Sequence, residues 1–158
     1  RLKKGGKVNK AIFDADTINT PSLLCVEDYL DSLKWAGEIG LDGLIKRSMK
    51  NFRAVEDWVA KNDWIAFLAE KPEIRSNTSV CLSVVSPKVR ALPEDKQAKL
   101  LKEISAEMGN RRVAYDMNSY KDAPPGFRLW CGPTIHTEDL NAALAELEKI
   151  YREKTAGV

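Results

Sequence analysis

Arg128 is the side chain of this sequence best placed to hold an anion, because of what surrounds it. It stands in Phe127-Arg-Leu-Trp-Cys131, where Phe127, Leu129 and Cys131 alternate with Arg128 and Trp130. That period of two predicts a short strand. Pro124, Pro125 and Gly126 block a helix ahead of it, and Gly132-Pro133 ends it. Both faces are apolar apart from the one guanidinium, so the strand is expected to be largely buried and the charge to need an anionic partner. A planar fork of donors fits a carboxylate or a phosphate. The partner is either an Asp or Glu of the chain, in a structural ion pair, or an acidic ligand. The polar loop Ser119-Tyr-Lys-Asp122 lies just upstream.

A second place is Asn19-Thr20, ahead of the first predicted helix. Backbone N–H groups and a hydroxyl at a helix N-terminus can hold a phosphate, and the same residues can equally form an ordinary cap. Other chemistries lack their residues. Gly5-Gly6 precedes no strand–helix unit, so no Gly-rich phosphate loop is present. No His, Cys, Asp and Glu fall at metal-ligand spacing, and no Gly-x-Ser-x-Gly nucleophile elbow occurs. The single histidine, His136, precedes a helix start and reads as a surface or capping residue. Cys25, Cys81 and Cys131 are far apart in apolar contexts, which fits small core residues in a reducing cytoplasm.

Behind these places lies a chain of 158 residues, 44% hydrophobic and 30% charged, enough for one domain with a real core. A net charge of +2 makes no case for nucleic acid. No apolar run approaches the roughly 20 residues that span a bilayer, and no signal peptide is expected. The chain opens with Arg1, as a processed protein or a piece of a longer polypeptide would.

The positioning elements follow from periodicity. Residues 1–16 read as an extended lead-in. A helix opens at Pro21 or Ser22, with Thr20 a plausible cap, carries Leu23, Val26, Leu30 and Leu33 on one stripe, and ends at Gly40. A second helix runs from Leu41 to about Asn62, its stripe being Leu41, Leu44, Ile45, Met49, Phe52, Val55 and Val59. Trp64–Leu68 and Thr78–Val85 read as strands. A third helix starts near Pro93 and ends at Met108, capped by Gly109. Arg112-Val-Ala-Tyr115 is expected to be a third strand and Phe127–Cys131 the fourth. Thr137 then caps a last helix with Leu140, Ala143, Leu144, Leu147 and Ile150 inward. The result is an α+β fold, a small, mostly antiparallel or mixed sheet of about four strands covered by helices.

Three separated stretches carry a resemblance. Ile18-Asn-Thr-Pro-Ser-Leu-Leu-Cys-Val-Glu-Asp-Tyr-Leu30, Arg75-Ser-Asn-Thr-Ser-Val-Cys-Leu82 and Tyr115-Asp…Ser119-Tyr-Lys-Asp-Ala-Pro-Pro-Gly-Phe-Arg-Leu-Trp-Cys-Gly132 resemble the phosphoserine aminotransferase family. These are class V, fold type I enzymes that use pyridoxal 5'-phosphate. The likeness covers nearly the whole chain and matches the C-terminal part of that family, after the lysine that carries the cofactor. It implies that residues 1–21 link from a large domain and residues 22–158 form the C-terminal small domain. It implies that Arg128 binds the substrate α-carboxylate, and that Asn19 and Thr20 reach the cofactor phosphate of the neighbouring subunit in a homodimer. Lys121 stands nearest to where the family contacts the substrate phosphate, although relatives usually carry Arg or a His-Arg pair there. Arg75-Ser76 matches a pattern read as a structural turn. The implied reaction exchanges an amino group between glutamate and 3-phosphohydroxypyruvate, giving 2-oxoglutarate and phosphoserine for serine biosynthesis in the cytoplasm. The segment bearing the Schiff-base lysine, the stacking aromatic and the Asp at the pyridine nitrogen has no counterpart here, so this chain alone is not expected to transaminate. Two alternatives remain: another class V aminotransferase, or a non-catalytic α+β binding or dimerisation module with Arg128 in a structural salt bridge.

Overall fold

The computed structural model describes residues 3–14, 19–118, 120 and 123–157. The chain divides into two compact units, Arg1–Leu41 and Asp42–Val158.

In the first unit, β1 (Lys3–Lys4) and β2 (Lys7–Val8) form a small antiparallel hairpin, and a 3-10 turn covers Lys10–Asp14. α1 (Leu23–Ile39) is capped by Ser22, whose hydroxyl accepts the Cys25 N–H at 3.5 Å. Thr20, the expected cap, lies upstream of it. α1 ends because Gly40 takes φ 76°, which glycine reaches without a Cβ clash, while its N–H donates to the Ala36 carbonyl at 2.9 Å. The stripe of Leu23, Val26, Leu30 and Leu33 is present, yet each of them is exposed, Leu23 by 78%. Period identifies an amphipathic helix without saying what covers it. Cys25, on this helix, is exposed and not a core residue.

α2 (Leu41–Val59) runs on into the second unit. Its buried face is Ser48, Asn51, Phe52 and Val55, a helical i, i+3, i+4, i+7 set. Two of those positions are polar, and Leu41 and Ile45 from the expected stripe are exposed. Next come β3 (Ile65–Phe67), β4 (Ser79–Val84) and β5 (Gly126–Trp130), which make an antiparallel sheet in that order. The register pairs Phe67 with Leu82, Leu82 with Phe127, and Val80 with Leu129. Alternation therefore puts Ile65, Phe67, Val80, Leu82, Val84, Phe127 and Leu129 on one face. α4 (Glu94–Asn110) and α5 (Thr137–Lys154) bury Leu101, Ile104, Met108, Leu144, Leu147 and Ile150 in the same core. Each fully buried aliphatic of this kind contributes about 1.5–3 kcal/mol.

The α+β fold expected from sequence is the one observed, with specific differences. Among the described residues the sheet has three strands, not four. Residues 112–115 are not a strand because Arg112 (φ 56°) and Asp116 (φ 54°) leave the extended region. Instead, a single bridge pairs Asn118 with Phe127, and the Arg128 N–H donates to the Met117 carbonyl at 2.8 Å. A short helix, α3 (Pro87–Arg90), occupies a stretch read as turn. α4 continues through Gly109 to Asn110. Thr137 is the first residue of α5, and its N-cap is His136, without a side-chain bond.

Candidate functional site

The face of the sheet opposite the core carries Ala66 from β3, Ser79, Cys81 and Ser83 from β4, and Arg128 and Trp130 from β5. This follows from the pairs Cys81–Arg128, Ser79–Trp130 and Ala66–Ser83. β5 thus meets the core by one face only, and Arg128 shares the other with Trp130, which is 53% exposed, and with small residues of the neighbouring strands. The expectation that the strand is buried on both faces is corrected here. Alternation alone does not say which face of a strand meets the core.

Gly126 sets how closely β5 approaches β4. A Cβ there would come within 2.2 Å of the Leu82 carbonyl oxygen, so the register that aims Arg128 needs a residue without one. After β5 the chain turns into α5, and a buried amide from α2 organises that turn. Asn51 is 1% exposed. Its Nδ2 donates to the carbonyls of Cys131 (3.3 Å), Gly132 (3.1 Å) and Ile135 (3.3 Å), while its Oδ1 accepts the Thr137 hydroxyl at 2.7 Å. This positioning role was missed from sequence. Its only signal was an amide on the inward face of a helix. Arg75 and Ser76 are structural, as expected. The Arg75 guanidinium donates to the carbonyls of Ala69 and Glu70 and lies 4.2 Å from the Phe67 ring centre. The Ser76 hydroxyl accepts the N–H groups of Thr78 and Ser79.

The Arg128 side chain is 21% exposed and has two described neighbours. Its Nη2 donates to Asp116 Oδ2 at 2.8 Å, and its guanidinium carbon lies 4.3 Å from the Tyr120 ring centre. The internal ion pair foreseen as one option therefore exists. Its acidic member is not internal, however: the Asp116 side chain is 83% exposed and Tyr120 is 70% exposed. A cleft of about 200 Å³ adjoins, lined by Arg128, Tyr115, Met117 and Trp130 and by Leu140 and Leu144 of α5. A guanidinium held by a single surface carboxylate can exchange it for another anion, because an exposed pair is weak and a bidentate one is stronger.

Asn19 and Thr20 are exposed and belong to the first unit, whereas Arg128 belongs to the second. Lys121 lies outside the described residues. Cys131 is inert: burial pushes its thiol up to about 12, so it stays protonated at neutral pH. Away from the site, Arg111 at the end of α4 bonds Glu107 and, on α5, Glu146 and Glu153. Those bonds hold the Glu107 and Glu146 carboxyls below the usual range. Among the described residues there is no group of His, Cys, Asp and Glu fit for a metal, and no helix long and apolar enough to cross a membrane.

No protein-family model matches the chain. Over 152 residues, 96% of its length, it is 51% identical to the phosphoserine aminotransferase of Methanosarcina mazei and 49% identical to that of Methanosarcina barkeri. It spans 38% of the length of each, their C-terminal portion. Among solved structures it is similar to the phosphoserine aminotransferase from Bacillus circulans subsp. alkalophilus. That match has a TM-score of 0.70 and 16% identity, over 91% of this chain and 37% of the other. A phosphoserine aminotransferase studied for radiation damage of its Schiff base gives a TM-score of 0.69 and 14% identity, over 90% of this chain and 37% of the other. At that identity the structures speak to the fold alone, which is α+β as expected from the sequence. The resemblance carried by the three motifs is borne out.

Proposed function

We propose that this chain is the C-terminal part of a pyridoxal-phosphate-dependent phosphoserine aminotransferase, with residues 1–21 leading from a large domain and residues 22–158 forming the small one. The whole enzyme, a cytoplasmic homodimer, exchanges an amino group between glutamate and 3-phosphohydroxypyruvate, yielding 2-oxoglutarate and phosphoserine. Half identity sustained over 152 residues is the observation that carries this reading. The geometry adds a guanidinium whose covering groups, Asp116 and Tyr120, are both on the surface.

Within that reading Arg128 grips the α-carboxylate of either substrate and orients it, a contribution worth several kcal/mol of barrier when the geometry is right. Lys121 is the residue this reading assigns to the substrate phosphate. The cofactor, when bound, supplies the electron sink for amino transfer. Asn19 and Thr20 suit its phosphate: both are exposed, and they offer an amide and a hydroxyl ahead of a helix already capped by Ser22. Their phosphate would belong to the partner subunit's cofactor.

Arg128→Ala in the intact enzyme tests the assignment. Losing a charge-assisted contact of about 1.5–3 kcal/mol raises KM for both carboxylate substrates tenfold or more. Unchanged KM values would remove Arg128 from the site. A full-length protein with neither cofactor absorbance nor amino transfer would remove the enzyme reading and favour a binding module with Arg128 in a structural pair.

A further inference from the structure

We propose that Asp116 is an exchangeable counter-ion that occupies the carboxylate-binding position on Arg128 and is displaced by the substrate carboxylate, so that it sets the affinity of the site. The inference rests on the reading of Arg128 given above. Asp116 comes to the guanidinium by backbone placement. The chain turns at Asp116 with φ 54°, a value aspartate tolerates better than most residues, and the next residue, Met117, accepts the Arg128 N–H at 2.8 Å. The carboxylate is therefore tied to the short ladder that fixes Arg128, while its own side chain stays in water.

The contact itself suits exchange. Among the described residues Asp116 offers one oxygen to one guanidinium nitrogen, at 2.8 Å. A free carboxylate approaching in the plane of the fork makes two parallel bonds. The substrates assigned to the site carry a second anionic group, a phosphate or a side-chain carboxylate, and this repels Asp116 as they arrive. At 83% exposure Asp116 can swing into solvent without leaving a buried charge behind.

Asp116→Asn in the full-length enzyme tests this with little change of shape. KM for glutamate and for 3-phosphohydroxypyruvate falls two- to fivefold with little change in kcat. Asp116→Glu, which restores the charge, returns KM toward the wild-type value. In an Arg128→Ala background the Asp116→Asn effect disappears. A rise in KM would make Asp116 an orienting residue and overturn the proposal, and an unchanged KM would overturn it too. If Arg128→Ala raises KM while Asp116→Asn leaves it unmoved, only the counter-ion role fails. If neither substitution moves KM, the assignment of Arg128 fails beneath it.

Discussion

Replacing Asn51 by alanine removes one buried side chain that ties together residues some eighty positions apart in sequence. Its two amide hydrogens are shared among the carbonyls of Cys131, Gly132 and Ile135, and its oxygen takes the Thr137 hydroxyl. The loss is thus about three hydrogen bonds, not four. At about 1 kcal/mol net for each, with more because the Cys131 and Gly132 carbonyls sit in buried residues, the cost comes to about 3–4 kcal/mol. For a protein of this size each kcal/mol lowers Tm by about 2–4 °C, so a fall of about 6–16 °C is expected. Thermal unfolding followed by far-UV circular dichroism, wild type beside variant, measures it. Asn51→Asp should be at least as damaging, because a carboxylate oxygen would replace the amide that faces three carbonyls. A Tm within about 2 °C of wild type for both variants would refute the claim that this amide holds the β5–α5 turn.

Gly126→Ala forces a methyl group into the Leu82 carbonyl, so β5 must move by about 1 Å. A displacement of that size two residues from Arg128 should lower kcat/KM by up to about 100-fold, and wild-type kinetics would show that the strand yields elsewhere. Arg111→Met should flatten the acid side of the stability profile. Glu107 and Glu146 are held below the usual carboxylate range chiefly by hydrogen bonds from Arg111. That stabilisation is full above the unfolded-state pKa and is lost as pH falls through the depressed folded-state values. Wild type and variant should therefore differ at pH 7 and converge toward pH 3. An equal gap at both pH values, in denaturant midpoints, would contradict the linkage.

Local pattern made much of the molecule legible. The period-two run around Arg128 marked a strand, Gly40 marked a helix end, and Gly126 and the two prolines before it marked where β5 begins. Leu140, Leu144, Leu147 and Ile150 marked the inward face of α5, and all four are buried. Local signals also misled where a backbone choice of one or two residues decided the outcome. Arg112 and Asp116 take left-handed φ values that nothing in their neighbours demanded, and so residues 112–115 never become a strand. Ser22 caps α1 in place of Thr20 because the helix starts at Leu23.

By itself, the sequence determined the type of each long element, the α+β class and the identity of Arg128 as the charge needing an anion. These depend on residue type and on spacing within a few positions along the chain. Tertiary structure alone decided which face of β5 is covered, that Asp116 is the carboxylate meeting Arg128, and that Asn51 holds the turn behind it. Each of these requires segments distant in sequence to meet in space. A strand's alternation is symmetric between its two faces until a particular neighbour packs against one of them, and a hydrogen bond between Asn51 and Cys131 leaves no periodic trace in either segment.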